Sequence, residues 1–219
     1  MFFAIIPAFN EADSIESVVL AVKKYVDEVV VVDDGSQDET ARIARSAGAT
    51  VLVHDVNRGQ GAALETGHEY ARRQGADFVL HFDADGQFDA AEIVPAFEAI
   101  QTAKVDVLFG SRFLDKKGDL PFSKRYIIFP ISKVINALFG TPNMSDVHNG
   151  FRILNKKALN AIYIEQDRMA HASEIPAQVK KQGLSYREFP VTVRYFEYGQ
   201  NVKGGLNILK DLILGRFLQ

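Results

Sequence analysis

The chain has 219 residues, with 25 lysines and arginines against 28 aspartates and glutamates, and it has no cysteine. A net charge of −3 argues against a broad basic surface, so nucleic acid is not an expected partner. A composition of 47% hydrophobic and 24% charged residues is typical of a globular domain and excludes a disordered or disulfide-rich protein. Without cysteine, any metal ion must be bound by oxygen or imidazole.

The first residues lack the basic segment that opens a signal peptide, and Pro7 and Glu11 interrupt the apolar start. No stretch of about 18 apolar residues occurs in the sequence, so no membrane-spanning helix is predicted. Both observations favour a cytoplasmic protein.

Short β-branched or aromatic runs alternate with helical patterns through the first half of the chain. Strands are predicted at 2–6, 28–33, 50–54, 77–83 and 106–109, with helices near 12–25, 38–47, 59–73 and 90–102. Apolar strands such as the VVVV run at 29–32 need cover on both faces. The pattern predicts an α/β fold with a Rossmann-like, mostly parallel central sheet flanked by helices.

The pattern loosens after residue 110. A basic connection at 112–125 precedes an aromatic helix at 126–139, a short strand at 151–154, a helix at 173–182 and a strand at 185–195. Neither a repeat nor a linker divides the chain. We expect one domain over 1–203 with an elaborated C-terminal half, followed by an apolar helix over 204–219.

Acidic residues follow the fourth predicted strand, where Asp83 and Asp85 lie one residue apart. Two carboxylates held close together repel each other, and a divalent cation relieves that repulsion. With the amide oxygen of Gln87 they offer hard ligands for Mg²⁺ or Mn²⁺. The alternative is that Asp83 caps a turn formed by Asp85 and Gly86.

Two further segments end predicted strands at the same edge of the sheet, where ligands of open α/β sheets bind. Asp33 and Asp34 end the second strand and could accept hydrogen bonds from a nucleobase or ribose, or form a turn before the next helix. Gly59, beside Arg58, would let the backbone approach a ligand. The histidines of the first half are expected to be structural or exposed.

Six segments in order carry a resemblance to a known family. They are IIPAFNE at 5–11, VVVVDDGSQDET at 29–40, NRGQGAALETG at 57–67, FDADGQ at 82–87, FGSR at 109–112 and HNGFR at 148–152. The set resembles a family-2 glycosyltransferase of the GT-A fold and is most similar to the dolichyl- or polyprenyl-phosphate sugar synthases. The resemblance implies an inverting, metal-dependent enzyme that uses a UDP-, GDP- or dTDP-sugar.

The resemblance also assigns roles to residues. Nucleotide binding is implied for Pro7, Ala8, Glu11, Asp33 and Asp34, with Arg58 and Gly59 beside them. Binding of Mg²⁺ or Mn²⁺ and of the donor diphosphate is implied for Asp83, Asp85 and Gln87, and phosphate contacts for Arg112, Arg125 and Arg194. Arginines suit this task because a guanidinium can bind phosphate with two hydrogen bonds, although each could equally be a solvated surface residue.

The acceptor stays open between two classes. A polyprenyl phosphate is already an anion and needs no strong base, whereas a hydroxyl of a lipid-linked saccharide or polysaccharide does. Glu174 could be that base, or an early-helix acid favoured by the helix dipole. The segment DVHNGFR at 146–152 departs from the D-x-T-S-G-F-R pattern of the synthases, which puts the phosphate acceptor in doubt.

The apolar tail has two interpretations. A helix over 204–219 could lie in a bilayer interface, which would place the enzyme at the cytoplasmic face of the membrane, or it could pack on the domain or on a second copy in a homodimer. Two rival functions are a nucleotidyltransferase, which lacks support because no Gly- and Lys-rich phosphate loop follows the first strand, and a non-catalytic nucleotide-sugar binder.

Overall fold

The computed structural model describes residues 1–114 and 144–194. The predicted helix at 126–139, Arg125 and the apolar helix at 204–219 lie outside the described residues. Within the described residues, no helix has both the length and the apolar character needed to cross a membrane.

The centre of the fold is a seven-stranded sheet. Its strands are β1 (Phe2–Ala8), β2 (Glu28–Asp33), β3 (Thr50–Val53), β4 (Phe78–His81), β5 (Val107–Ser111), β6 (Arg152–Asn155) and β7 (Tyr186–Pro190). They lie in the order β3-β2-β1-β4-β6-β5-β7. The pairs among β1 to β4 are parallel, and β7 is parallel to β5. The mixed but mostly parallel sheet confirms the predicted fold class.

Strand β6 is the exception to the parallel arrangement. It lies between β4 and β5 and is antiparallel to both, with His81 opposite Arg152 and Phe109 opposite Arg152 on the other side. The short strand was predicted from the FRIL sequence, but its position in the sheet was not. The insertion brings the HNGFR segment next to the carboxyl end of β4.

Helices cover both faces of the sheet. They are α1 (Ile15–Val22), α2 (Thr40–Ser46), α3 (Gln60–Gln74), α4 (Ile93–Ala103), α5 (Lys156–Ala161) and α6 (His171–Lys181), with a short 3₁₀ turn at Ala90–Glu92. One buried cluster joins α1, α2 and α4 to the sheet, and a second joins α3, α5 and α6 to it. Two-sided cover explains why the strands are apolar without alternation.

Strand β1 shows how the two clusters meet. Side chains of a strand alternate between its faces, so Phe2, Ala4 and Ile6 enter the first cluster and Phe3 and Ile5 enter the second. All seven residues of this strand are buried. The rigid centre holds the carboxyl ends of β1, β2 and β4 in fixed positions, and those ends form the edge described next.

Candidate active site

A cavity of about 370 Å³ opens at the carboxyl ends of β1, β2 and β4. Seven residues predicted for nucleotide or metal binding line it: Pro7, Ala8, Glu11, Asp34, Gly59, Asp83 and Asp85. Phe9, Asn57, Gln60, Ala63 and Ala84 complete the described lining. The fold therefore brings four of the sequence segments singled out above to one cavity.

Asp83 and Asp85 form the acidic side of the cavity. Burial, followed by the negative charge of Asp85, raises the pKa of Asp83 to about 6, against the opposing influence of Arg152 and a hydrogen bond from Gln60. Burial also raises the pKa of Asp85, although the backbone N–H of Gln87 donates to its Oδ1 at 2.9 Å. Neither carboxylate forms an ion pair with a lysine or arginine among the described residues.

The surroundings of Asp83 fix its carboxylate closely. The Nε2 of Gln60 donates to Asp83 Oδ1 at 3.0 Å. Gly150 packs against the same group, because a Cβ atom at Gly150 would lie 2.3 Å from Asp83 Oδ2. Only glycine permits this approach, so the HNGFR segment that leads into β6 packs closely on the carboxylate that follows β4.

These residues fit a divalent cation. Two carboxylates with raised pKa values face one cavity, where a cation would favour their ionised forms. No three His, Cys, Asp or Glu side chains within 1–114 and 144–194 are grouped so as to hold a metal ion by themselves. An ion bound here would therefore keep coordination positions for diphosphate oxygens and water. The side chain of Gln87, a predicted ligand, is not part of the described lining.

Asp34 organises the loop that follows β3. Its Oδ1 accepts from the backbone N–H of Arg58 at 2.9 Å, and its Oδ2 accepts from that of Gly59 at 2.6 Å. His54 Nδ1 lies 2.7 Å from the same carboxylate. Asp34 thus shapes the start of α3 through three hydrogen bonds, and a contact with nucleotide stays a prediction.

The carboxylates of Asp33 and Glu11 accept hydrogen bonds from residues of their own loops. Asp33 Oδ1 accepts from the backbone N–H of Ser36 at 2.8 Å, a contact within the turn that follows β2, and its contact with a nucleotide stays a prediction. Glu11 Oε2 accepts from the hydroxyl of Ser14 at 2.7 Å and still lines the cavity. Asp33 is buried and is not part of the described lining.

Arg112 forms an ion pair with Asp146. Its Nε and Nη2 each lie 2.7 Å from an oxygen of Asp146, a paired geometry. Burial would raise the pKa of Asp146, but the Arg112 guanidinium outweighs that influence and lowers it. The described lining does not include Arg112, and its phosphate contact stays a prediction.

Arg194 pairs with an acidic residue that is outside the described lining of the first cavity. Its Nη2 donates to Asp89 at 2.9 Å, and its backbone N–H donates to the carbonyl of Gln87. It lines a second cavity of about 370 Å³ together with Lys24, Tyr25 and Phe88. Neither Arg112 nor Arg194 is part of the described lining of the cavity that holds Asp83 and Asp85, and Arg125 lies outside the described residues.

Glu174 accepts hydrogen bonds from the loop that precedes its helix. Its Oε1 accepts from the backbone N–H of Glu165, and its Oε2 from that of Gln166, both at 3.0 Å. It is not part of the described cavity lining. The carboxylate therefore holds a loop of the fold from the first turn of α6, the helix-start position given above as the alternative, and its role as a base stays a prediction.

Sequence reasoning missed two residues of the site. Gln60 was noted only as a letter of the NRGQG segment, yet it lines the cavity and binds Asp83. Asp146, the partner of Arg112, was noted only as part of a departure from the family pattern. The polar residue between the two glycines was a usable signal for Gln60, whereas the Arg112 contact depends on a separation of 34 residues.

The comparisons with known proteins agree with this geometry. The family model described as "Glycosyl transferase family 2" matches residues 3–163. The uncharacterized protein MJ1222 of Methanocaldococcus jannaschii is 35% identical over 97% of this chain and 90% of its own. The UDP-N-acetylglucosamine–dolichyl-phosphate N-acetylglucosaminyltransferase of Methanococcus voltae is 29% identical over 98% of this chain and 95% of its own.

A solved structure supports the same fold. Glucosyl-3-phosphoglycerate synthase from Mycobacterium tuberculosis, in complex with Mn²⁺, UDP and glucosyl-3-phosphoglycerate, superimposes with a TM-score of 0.74 at 17% identity, over 97% of this chain and 77% of that one. This likeness confirms the GT-A fold. Because the family model matches well over half of the sequence and the architecture agrees, the chain belongs to glycosyl transferase family 2.

Proposed function

We propose that this glycosyltransferase takes a sugar from a nucleotide-sugar donor, in a reaction that depends on Mg²⁺ or Mn²⁺, and transfers it to polyprenyl phosphate with inversion. The observation that carries the proposal is the cavity where Asp83 and Asp85 meet the segments that follow β1, β2 and β3. Its volume of about 370 Å³ lies within the size range of small-ligand sites.

The donor is proposed to bind in this cavity because its lining has two parts with different chemistry. Pro7, Ala8 and Glu11 on one side, with Asp34 and Gly59 opposite, form the part proposed for the nucleotide. Asp83 and Asp85 form the part proposed for the diphosphate and its cation. The cation, when bound, stabilises the negative charge that develops on the leaving diphosphate.

Hydrogen bonds and close packing hold the two carboxylates in place before a ligand binds. Gln60 and Gly150 hold the Asp83 carboxylate, and the backbone of Gln87 holds Asp85, so little reorganisation is needed when ligand binds. Asp34 fixes the amides of Arg58 and Gly59 at the start of α3. Preorganised groups of this kind stabilise a transition state more than a flexible site does.

The acceptor class follows from two considerations. A relative 29% identical over nearly the whole chain is named for transfer to dolichyl phosphate. Glu174, the candidate base for a hydroxyl acceptor, accepts hydrogen bonds from two backbone amides and is not part of the described cavity lining. A phosphate acceptor needs no such base, and Arg112, Arg125 and Arg194 are proposed to contact phosphate groups of donor or acceptor.

A lipid acceptor would bring the enzyme to a membrane. We propose peripheral attachment at the cytoplasmic face through residues 204–219, whose apolar side chains include Leu206, Ile208, Leu209 and Leu212. The same segment could serve a homodimer. Vesicle sedimentation of the full chain and of a chain ending at Gly204 separates these uses, because only membrane attachment depends on lipid.

The proposal is tested by direct transfer. Purified protein is incubated with labelled UDP-N-acetylglucosamine, UDP-glucose or GDP-mannose, with polyprenyl phosphate in detergent and with Mn²⁺. Label that moves into the organic phase, and stays in the water phase when a chelator is added, is the expected result. Transfer to a saccharide hydroxyl but not to polyprenyl phosphate would overturn the acceptor, and undiminished transfer with chelator would overturn the metal requirement.

A further inference from the structure

Two acidic side chains hold the loop between α5 and α6: Glu65 of α3 accepts from the backbone N–H of Ile164 at 2.8 Å, and Glu174 binds the residues that follow. Glu174, in the first turn of α6, accepts one backbone N–H with each oxygen, from Glu165 and from Gln166. Gln178, one turn later on the same helix, donates to Glu174 Oε1 at 3.0 Å and accepts from the backbone N–H of Tyr163. The carboxylate is therefore the centre of a hydrogen-bonded clasp on residues 163–166.

The far side of this loop lies against the start of α3. The carbonyl of Asp167 accepts from the backbone N–H of Ala62 at 3.0 Å. A Cβ atom at Gly61 would lie 1.9 Å from the carbonyl oxygen of Gln166, and one at Gly59 would lie 2.6 Å from that of Asp167. The two backbones are in direct contact, and the Cγ atom of Arg168 also lies close to Gly59, so a displacement of one segment displaces the other.

The start of α3 in turn reaches the cavity. Gln60 lies between those two glycines, lines the cavity and donates to Asp83. A continuous path of contacts therefore runs from Glu174 through the loop backbone and Gln60 to Asp83. Every step is a hydrogen bond or a backbone contact between described residues.

We propose that Glu174 is a positioning residue of the donor site: its carboxylate holds residues 165–167 against Gly59 and Gly61 and so fixes Gln60 and Asp83 for the bound donor. This inference rests on the proposed function for its kinetic consequence only. Its structural half, the clasp on the loop, stands on the hydrogen bonds alone. The role differs from that of a general base, which would act on the acceptor.

Glutamine at this position separates the two roles. Glu174→Gln keeps the shape, but its amide group can accept from only one of the two backbone amides and opposes the other with its own N–H. A hydrogen bond to a charged group of this kind corresponds to an effect of about tenfold or more. We expect the donor KM to rise about tenfold, kcat to change by less than about threefold, and the pH profile of kcat to keep its shape.

A base would give the opposite pattern. Loss of a general base lowers kcat by about 10² to 10⁴ with the donor KM unchanged and alters one limb of the pH profile. That result would overturn the proposal. Glu69→Gln is the matched control, because Glu69 lies on the exposed face of α3 and pairs with Arg73 of the same helix; its kinetics should equal those of the unaltered protein.

Hydrogen exchange tests the clasp even if no donor is found. In Glu174→Gln, peptides covering 163–168 and 57–64 should both exchange faster than in the unaltered protein and in Glu69→Gln, while peptides of β2 should not change. Faster exchange in 163–168 alone would overturn the coupling to α3, and no change in either would overturn the clasp. Failure of the proposed function would instead appear as unaltered protein that binds and transfers no nucleotide sugar.

Discussion

Two groups of acidic side chains in this molecule have opposite surroundings. At the carboxyl end of β4, Asp83 and Asp85 face a cavity, form no ion pair within the described residues, and have raised pKa values. Around β5, Asp146 binds Arg112 and Asp106 binds Lys157, Asn155 and Ser185. In both of these the partners outweigh burial and lower the pKa, in Asp106 to about 2.

The contrast suggests different roles for the two groups of acids, one in stabilising the fold and one in binding ligand. Acids with built-in partners favour the folded state when ionised, so they hold the C-terminal half together. Acids without such partners make the ionised folded state less stable, and a bound cation is what would relieve them. The raised pKa values of Asp83 and Asp85 are therefore the electrostatic feature that supports the proposed donor site.

The largest expected effect is on sugar transfer and concerns Asp85, one of the two acids that face the cavity. Asp85→Ala should lower transfer by at least about 100-fold, because it removes a ligand of the charge-stabilising cation. The fold should persist, since Asp85 is only partly covered and accepts only a local backbone hydrogen bond. Steady-state kinetics with and without Mn²⁺, together with circular dichroism, measure both.

Asp77→Asn is the matched control for that experiment. Asp77 precedes β4 at the opposite end of the strand and binds the N-terminal ammonium group. It should transfer sugar as the unaltered protein does. Equal activity in Asp85→Ala and Asp77→Asn would contradict the proposed cation site.

A smaller effect, on stability, is expected on the other side of the comparison. Asp146→Asn leaves Arg112 without its carboxylate in a largely buried pair, which should lower the free energy of unfolding by about 3 kcal/mol. Urea unfolding followed by fluorescence or circular dichroism measures the change. A stability loss below about 1 kcal/mol would show that this pair does not hold the second half together.

The smallest effect depends on pH and has opposite signs in the two groups. Because the folded-state pKa of Asp83 is raised to about 6, its ionisation lowers stability as pH rises from about 4 to about 6. Asp83→Asn should therefore raise the free energy of unfolding near pH 8 by about 1–2 kcal/mol and leave it unchanged near pH 4, both without metal.

Asp106→Asn supplies the opposite sign. The folded-state pKa of Asp106 is lowered to about 2, so its contribution is complete above about pH 4 and is lost as pH falls towards 2. The asparagine variant should therefore lower the free energy of unfolding near pH 8. If both variants lower it there, the distinction between the two groups of acids is wrong. Urea titrations at the two pH values decide.

The sequence predicted local features well and long-range contacts poorly. Strand β2 was predicted with its observed bounds, and β1 and α3 with errors of two residues or fewer at each end, because apolar runs and helical periodicity are local signals. Asp83 and Asp85 were expected to face a ligand because strand ends share one edge of the sheet.

The remaining features depend on residues that are distant in sequence. The antiparallel placement of β6 between β4 and β5 has no local signature. From the sequence, Glu174 was interpreted as a base or as a helix-start acid. Its hydrogen bonds with the backbone of Glu165 and Gln166 were not predicted, because they depend on the path of a loop. Hydrogen bonds of this kind become visible only when the chain is folded.

The most direct test of the central claim is thermal unfolding with UDP, GDP and dTDP, each with and without Mn²⁺. A ligand at 100 times its Kd stabilises a protein by about 2.7 kcal/mol, which is readily measured as a rise in Tm. We expect a rise in Tm with one of the three nucleotides, a rise that requires Mn²⁺ and is lost in Asp85→Ala. A rise of equal size without metal, or no rise with any of the three, would contradict the claim.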